Sequence, residues 1–176
     1  EIAAADYAVV NLESPIGGQP YTGYPCFSAP DEFPIALQNA GLDLFLTANN
    51  HCLDRYTRGA IRTLHILDSI GADHIGTYDS KDSFERFYPF ITSIKGIRIA
   101  FLNYTYGTNG FTPHSPLIVN YIDEEKIKKD IFRAKTLSAD LIVACLHWGD
   151  EYQLLPNKRQ EDLADFLAKE GVQLII

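Results

Sequence analysis

The order of apolar segments predicts an α/β fold with mixed sheets. Three observations carry this reading. Short, continuous apolar runs of strand length alternate with segments whose apolar residues recur at helical spacing. One pair of runs, Tyr88 to Ser93 and Ile97 to Tyr104, is split only by Lys95-Gly96, a hairpin turn, so not every strand is parallel. Three buried runs end abruptly in Asn, Glu or His, and in open α/β sheets ligands bind beyond the carboxyl ends of strands.

In chain order, the first strand covers Tyr7 to Asn11. A polar loop rich in Gly, Pro and Tyr follows from Ser14 to Pro30; loops of that length are usually functional or mobile. Asp31 is placed to cap a helix over Phe33 to Ala40, with Pro34 in its first turn and Gly41 as its stop. The run Asp43 to Thr47 is the second strand. A helix from Thr57 to Ile70 has Ala60, Ile61, Leu64, Leu67 and Ile70 on one stripe. A short strand near His74 to Gly76, a helical turn at Ser83 to Phe87 and the hairpin come next. Gly107 to Pro116 reads as irregular chain. Asp123 opens a helix with Ile127, Ile131, Ala134 and Leu137 on its inner face. The run Leu141 to Leu146 is a strand. Asn157 caps a last helix, with Gln160 three residues on as in a capping box and Leu163, Phe166 and Leu167 facing inward. Val172 to Ile176 is the final strand. There is no internal repeat and no linker, so residues 1–176 form a single domain.

The 176 residues suffice for one substantial core. A net charge of −8 with no Lys/Arg cluster argues against nucleic acid as a partner. It would also repel a polyanion unless a local cation reversed the field. Three isolated cysteines form neither a disulfide framework nor a zinc knuckle; Cys52, beside His51, is a conceivable thiol ligand. No long apolar run spans a membrane. Both ends read as cut, as in a fragment of a longer chain. No GxGxxG, P-loop, GxSxG or HExxH motif is present, which removes the usual nucleotide, acyl-transfer and zincin readings.

Chemistry centres on three strand ends. Glu13, Asn50 and His147 offer a carboxylate, an amide oxygen and an imidazole, a mix that Mn²⁺, Mg²⁺, Fe²⁺ or Zn²⁺ accepts. His51 is suited to protonate a leaving oxygen, since its unperturbed pKa of about 6.5 favours transfer near neutrality. Asp54 orients His51 or closes the helix start beyond it. Asn49, Trp148, Glu151 and Tyr104 are the expected substrate contacts. Taken singly, each has a plainer reading: Asn49-Asn50 as a turn, His147-Trp148 as a packed pair, Glu13 as a cap or an Arg partner, the tyrosines as packing. Taken together, three strand ends with ligand-type side chains favour a site.

The strings ADYAVVNLESPIGG, GLDLFLTANNHCLD before a helix and GADHIGT, IRIAFLNYTYGTNG, and LIVACLHWGDEY resemble the bacterial capsule-synthesis CapA family along nearly the whole chain. That family is linked to poly-γ-glutamate capsule synthesis and export and is similar to the calcineurin-like metallophosphoesterases. The resemblance implies a four-layered fold, two mixed sheets face to face with helices outside. It places Glu13 at an acidic bridging ligand, Asn50 at the metal-binding Asn of a GNH motif, His51 at its catalytic His, and His147 at a lone His ligand. The superfamily's early Gly-Asp motif and late His motif are absent, so the chain carries half of a dimetal site. Glu replaces the superfamily's bridging Asp, and Asn49 its Gly. The resemblance further implies divalent metal ions, a metal-dependent hydrolase or transferase activity, an anionic polymer such as poly-γ-glutamate or a membrane synthase as partner, and a cell-surface or membrane-associated place. The alternative is a non-catalytic surface accessory protein of the same fold.

Overall fold

The computed structural model describes residues 2–176. Nine strands and five α-helices follow one another as β1 (Val9–Asn11), α1 (Glu32–Asn39), β2 (Leu44–Leu46), α2 (Tyr56–Ser69), β3 (Asp73–Ile75), β4 (Thr77–Tyr78), α3 (Lys81–Phe87), β5 (Phe90–Ile94), β6 (Ile97–Thr105), β7 (Ile118–Val119), α4 (Glu124–Thr136), β8 (Leu141–His147), α5 (Lys158–Glu170) and β9 (Leu174–Ile175). One sheet is parallel, in the order β1-β2-β3. The second is mixed, in the order β5-β6-β8-β9, and the β5–β6 hairpin is its antiparallel part. A two-stranded ribbon, β4-β7, was not legible as strands in the sequence, because two-residue pairings carry no periodicity.

Alternation along each strand sorts side chains into layers. Leu44, Leu46 and Ile75 of the parallel sheet meet Phe101, Val143 and Cys145 of the mixed sheet, so the two sheets pack face to face. Phe45, between Leu44 and Leu46, points the other way, into a cluster with Leu37, Leu67 and Ala72 of the α1–α2 side. Ala100, Leu102 and Tyr104 of β6 and Ile142 and Ala144 of β8 face Ile127, Ile131, Leu163 and Leu167 of α4 and α5. The order is therefore helix, sheet, sheet, helix, the four layers that the resemblance implies. Burying one such aliphatic or aromatic side chain is worth about 1.5–3 kcal/mol, so each seam is a substantial part of the core.

Local signals account for the helices. Asn157 and Gln160 form the reciprocal capping box, and Gly171 ends α5 in the left-handed conformation. Asp123 accepts from the Lys126 amide and caps α4. Two expectations are corrected. Asp31 makes no side-chain cap to α1; its carboxylate is taken by the fork of Arg62, at 2.7 and 2.8 Å. Leu137 lies past the last turn of α4 and is exposed rather than on the inner face.

The two sheets are also joined by a polar stitch. Asn103 Oδ1 accepts from the Ala48 amide at 2.9 Å, and its Nδ2 donates to the Cys145 carbonyl at 3.1 Å. Gly76 passes against this stitch at a φ of +112°, and a Cβ there would lie 2.0 Å from Asn103 Oδ1. Only glycine fits that crossing. Among the described residues, no helix is long and apolar enough to cross a membrane.

Candidate metal centre

β1, β2, β6 and β8 all finish at the same end of the sandwich, and their last side chains converge there. Alternation explains which ones. On β8, Val143, Cys145 and His147 share the face toward the other sheet, and on β1 Val9 and Asn11 do. His147 Nε2 lies 2.8 Å from Asn50 Oδ1 and 3.8 Å from Glu13 Oε1. Its other nitrogen, Nδ1, lies 3.5 Å from Asn11 Nδ2. Asn11 Nδ2 also donates to Glu13 Oε2 at 2.9 Å, which steers the carboxylate toward His147. Three donors from three strand ends thus face one point.

Burial lowers the His147 pKa, the nearby Glu13 raises it, His51 lowers it, and Glu151 raises it; the balance is a shift below the ordinary imidazole value. A depressed value keeps the ring neutral near pH 7, the form that ligates metals.

His51 sits beside this point, on the turn after β2. Its Nδ1 meets Asp54 Oδ2 at 2.7 Å, and Asp54 also accepts from the Phe27 amide at 2.7 Å. The Phe27 ring packs edge-on against the imidazole at 4.6 Å between centroids. The long Ser14–Pro30 loop therefore wraps over His51 and holds its carboxylate partner. With Nδ1 committed to Asp54, Nε2 is the nitrogen left for proton transfer. Asp54 is a positioning residue in this arrangement.

The expected substrate contacts divide. Trp148 and Glu151 line a cavity of about 180 Å³ together with Glu13, Asn50, Tyr106 and His147. Trp148, Gly149 and Asp150 continue into a larger hollow of about 510 Å³ bordered by Glu124 and Arg159. Asn49 and Tyr104 do not reach either. Asn49 is fully buried: its Nδ2 donates to Asn11 Oδ1 and the Leu12 carbonyl, and its Oδ1 accepts from the His51 amide. It ties the end of β1 to the His51 turn. Tyr104 is on the wrong parity of β6; it points into the helix-side core, where its hydroxyl donates to Asp130 at 2.8 Å. Tyr106 takes the place expected of it, stacked on His147 with centroids 6.0 Å apart. Cys52 lies outside the lining of the smaller cavity and packs with Leu53 and Ala60, and burial pushes its thiol up to about 12.

Two further contributors appear, one marked in the sequence only as a polar strand end and one not marked at all. Asn11 belongs to the strand and carried a signal in its alternation with Val9. Asn109, in the Gly107–Pro116 stretch, contacts both Asn50 and His51; nothing in that stretch announces it.

A model of the family described as "Bacterial capsule synthesis protein PGA_cap" matches residues 1–176. The chain is similar to the capsule biosynthesis protein CapA of Bacillus anthracis, 28% identical over 188 residues that cover 98% of this chain and 44% of that protein. It is similar to the PGA biosynthesis protein CapA of Bacillus subtilis (strain 168), 27% identical over 198 residues, 98% of this chain and 47% of that protein. The chain spans less than half the length of these relatives. Among solved structures, Haemophilus influenzae NAD nucleotidase (NadN) aligns with a TM-score of 0.46 and 21% identity over 66% of this chain and 21% of that one.

Proposed function

Because this chain belongs to the bacterial capsule synthesis PGA_cap family, we propose that it serves poly-γ-glutamate capsule synthesis or export at the cell surface, through a divalent-metal site. The observation that carries the metal reading is the approach of Asn50 Oδ1 and Glu13 Oε1 to His147 Nε2, at 2.8 and 3.8 Å. A nitrogen and two oxygens, one of them anionic, suit Mn²⁺, Mg²⁺, Fe²⁺ or Zn²⁺. Among the described residues no group of three or more His, Cys, Asp or Glu side chains assembles; the third donor is an amide.

In this reading Glu13, Asn50 and His147 hold the cation, which when bound supplies Lewis acidity to a phosphoester or to the polymer's amide linkage. It also offsets the negative charge of the protein toward an anionic substrate. Asp54 holds the Nδ1 proton of His51 and fixes the ring. His51 then presents Nε2 to the leaving group and, when protonated there, donates a proton to it. Phe27 packs against the ring and limits water access to it. Trp148, Tyr106 and Glu151 border the space in which the substrate sits.

A second reading is favoured by the same three-donor count. A non-catalytic accessory protein that binds the polymer or a membrane synthase needs no complete metal shell. Calorimetric titration with Mn²⁺ separates the two. The enzyme reading expects saturable binding by the full-length protein and its loss in His147→Ala; no binding by the full-length protein sinks it. Co-purification with a membrane synthase is the corresponding test of the accessory reading.

A further inference from the structure

Asn50 has an acceptor end and a donor end of nearly equal size. Only the oxygen end can serve a cation, so something must decide which end faces His147. Asn50 Oδ1 lies 2.8 Å from His147 Nε2, while Asn50 Nδ2 donates to Asn109 Oδ1 at 3.2 Å. Asn109 stands 59 positions later in the chain, in the loop between β6 and β7. Its φ is +49° and that of Gly110 is +80°, a left-handed pair that asparagine and glycine adopt with little cost. The other end of the same amide, Asn109 Nδ2, lies 3.4 Å from His51 Nδ1, the nitrogen that meets Asp54.

We infer that Asn109 is a positioning residue: its amide oxygen holds Asn50 with the ligating oxygen toward Glu13 and His147, and its nitrogen end abuts the His51–Asp54 pair. One side chain thereby touches both the proposed cation-binding and proton-donating halves of the site; its hydrogen bond is to Asn50, since His51 Nδ1 gives its proton to Asp54. The inference rests on the metal reading above for its consequence, but the wiring itself does not need a metal.

The Asn50 orientation and the His147 tautomer depend on each other. With Asn50 Oδ1 facing it, His147 Nε2 must carry the proton and donate. Two contacts favour this arrangement: Asn109 Oδ1 accepts from the Asn50 amide, and Asn11 Nδ2, which also donates to Glu13, faces His147 Nδ1 and favours the Nε2–H tautomer. Removing the acceptor at position 109 leaves only the second to oppose a half-turn of the Asn50 amide. The turned amide offers N–H to Nε2, which then accepts, and the His147 proton moves to Nδ1. The turned amide keeps its bond to His147 but sets the Nδ1 proton against the Asn11 amide nitrogen, so the turned form gains a share of the population rather than all of it, and folding is little affected. What is lost is the Asn50 oxygen that faces the cation position; the Nε2 proton of the native tautomer leaves when a cation binds there.

The test compares Asn109→Gly, which keeps the left-handed backbone and removes the amide, with Asn109→Asp, which keeps an acceptor oxygen. Where Gly loosens the loop, Asn109→Ala serves the same purpose. Imidazole ¹⁵N spectra of the metal-free protein at mildly alkaline pH report the His147 tautomer. The Gly variant is expected to shift His147 toward the Nδ1–H form, and the Asp variant to retain Nε2–H. Calorimetry with Mn²⁺ is expected to show a loss of roughly 10–100-fold in affinity for Gly, the usual cost of an outer-shell partner, and near wild-type affinity for Asp. A His147 tautomer that does not move in the Gly variant overturns the inference, whatever the metal does. A tautomer that moves in a protein whose wild type binds no Mn²⁺ sustains the wiring and removes the metal reading alone.

Discussion

Asn50 Oδ1 and His147 Nε2 lie 2.8 Å apart across the seam between the two sheets, although 97 positions separate them in the chain. Each comes from a different sheet, so neither residue can be moved to the point by its own local structure. His147→Ala and Asn50→Ala are each expected to weaken Mn²⁺ binding by more than the roughly 10–100-fold typical of outer-shell losses. Asn50→Asp keeps an oxygen in place and is expected to retain binding. Isothermal calorimetry reads all three, and wild-type affinity in His147→Ala would remove the centre.

Proton transfer is separable from metal binding. His51→Gln is expected to leave Mn²⁺ affinity within a few-fold and to slow hydrolysis of a generic phosphomonoester by about 10²–10⁴, the usual contribution of a general acid. Asp54→Asn, which weakens the hold on Nδ1, is expected to show a smaller loss and an altered pH–rate profile. Equal loss of metal affinity and rate in His51→Gln would assign His51 to ligation instead.

Acid is expected to weaken the fold through His147. Its folded pKa is lowered, mainly by burial, while the unfolded chain titrates near the ordinary value of about 6.5. Below that value the unfolded state binds more protons, so stability falls as pH falls, by at most about 1.4 kcal/mol per pH unit from this group. Above it the contribution no longer changes. Thermal midpoints from pH 7.5 to 5.5 should drop more steeply for wild type than for His147→Gln; parallel curves would contradict the assignment.

Tyr104 serves the core rather than the cleft. Tyr104→Phe removes a donor from Asp130, which Lys126 also contacts at 3.2 Å. A loss of about 1–2 kcal/mol is expected from the weakened buried carboxylate, with Mn²⁺ affinity unchanged. Urea titration and calorimetry measure the two, and a change in metal affinity would return Tyr104 to the site.

Gly76→Ala is expected to be the most damaging of these changes to the fold. The added Cβ meets Asn103 Oδ1 and the Ala48 backbone, at 2.0 and 2.5 Å, in a backbone conformation that alanine rarely adopts. Steric displacement and backbone strain each cost about 1–3 kcal/mol. A denaturation midpoint within error of wild type would mean that the stitch between the sheets is looser than its geometry indicates.

The amino-acid sequence marks most of the elements and most of the donors, the β4–β7 ribbon excepted. The apolar run around Phe45 and its polar sequel, the Lys95-Gly96 turn and the Asn157–Gln160 box are local patterns, and their energetics are local. It also marked Glu13, Asn50, His51 and His147, because polar side chains at the ends of buried strands need partners. Tertiary structure alone decided which of those partners met. Face assignment on β6 sent Tyr104 to the helices and Asn103 to the seam, a difference of one residue in a period of two. Asn109 came to Asn50 only through loop closure over 59 positions. The Arg62 fork, not the helix start, captured Asp31. Contacts of that kind depend on where two sheets are stacked, and no short window of sequence contains that information.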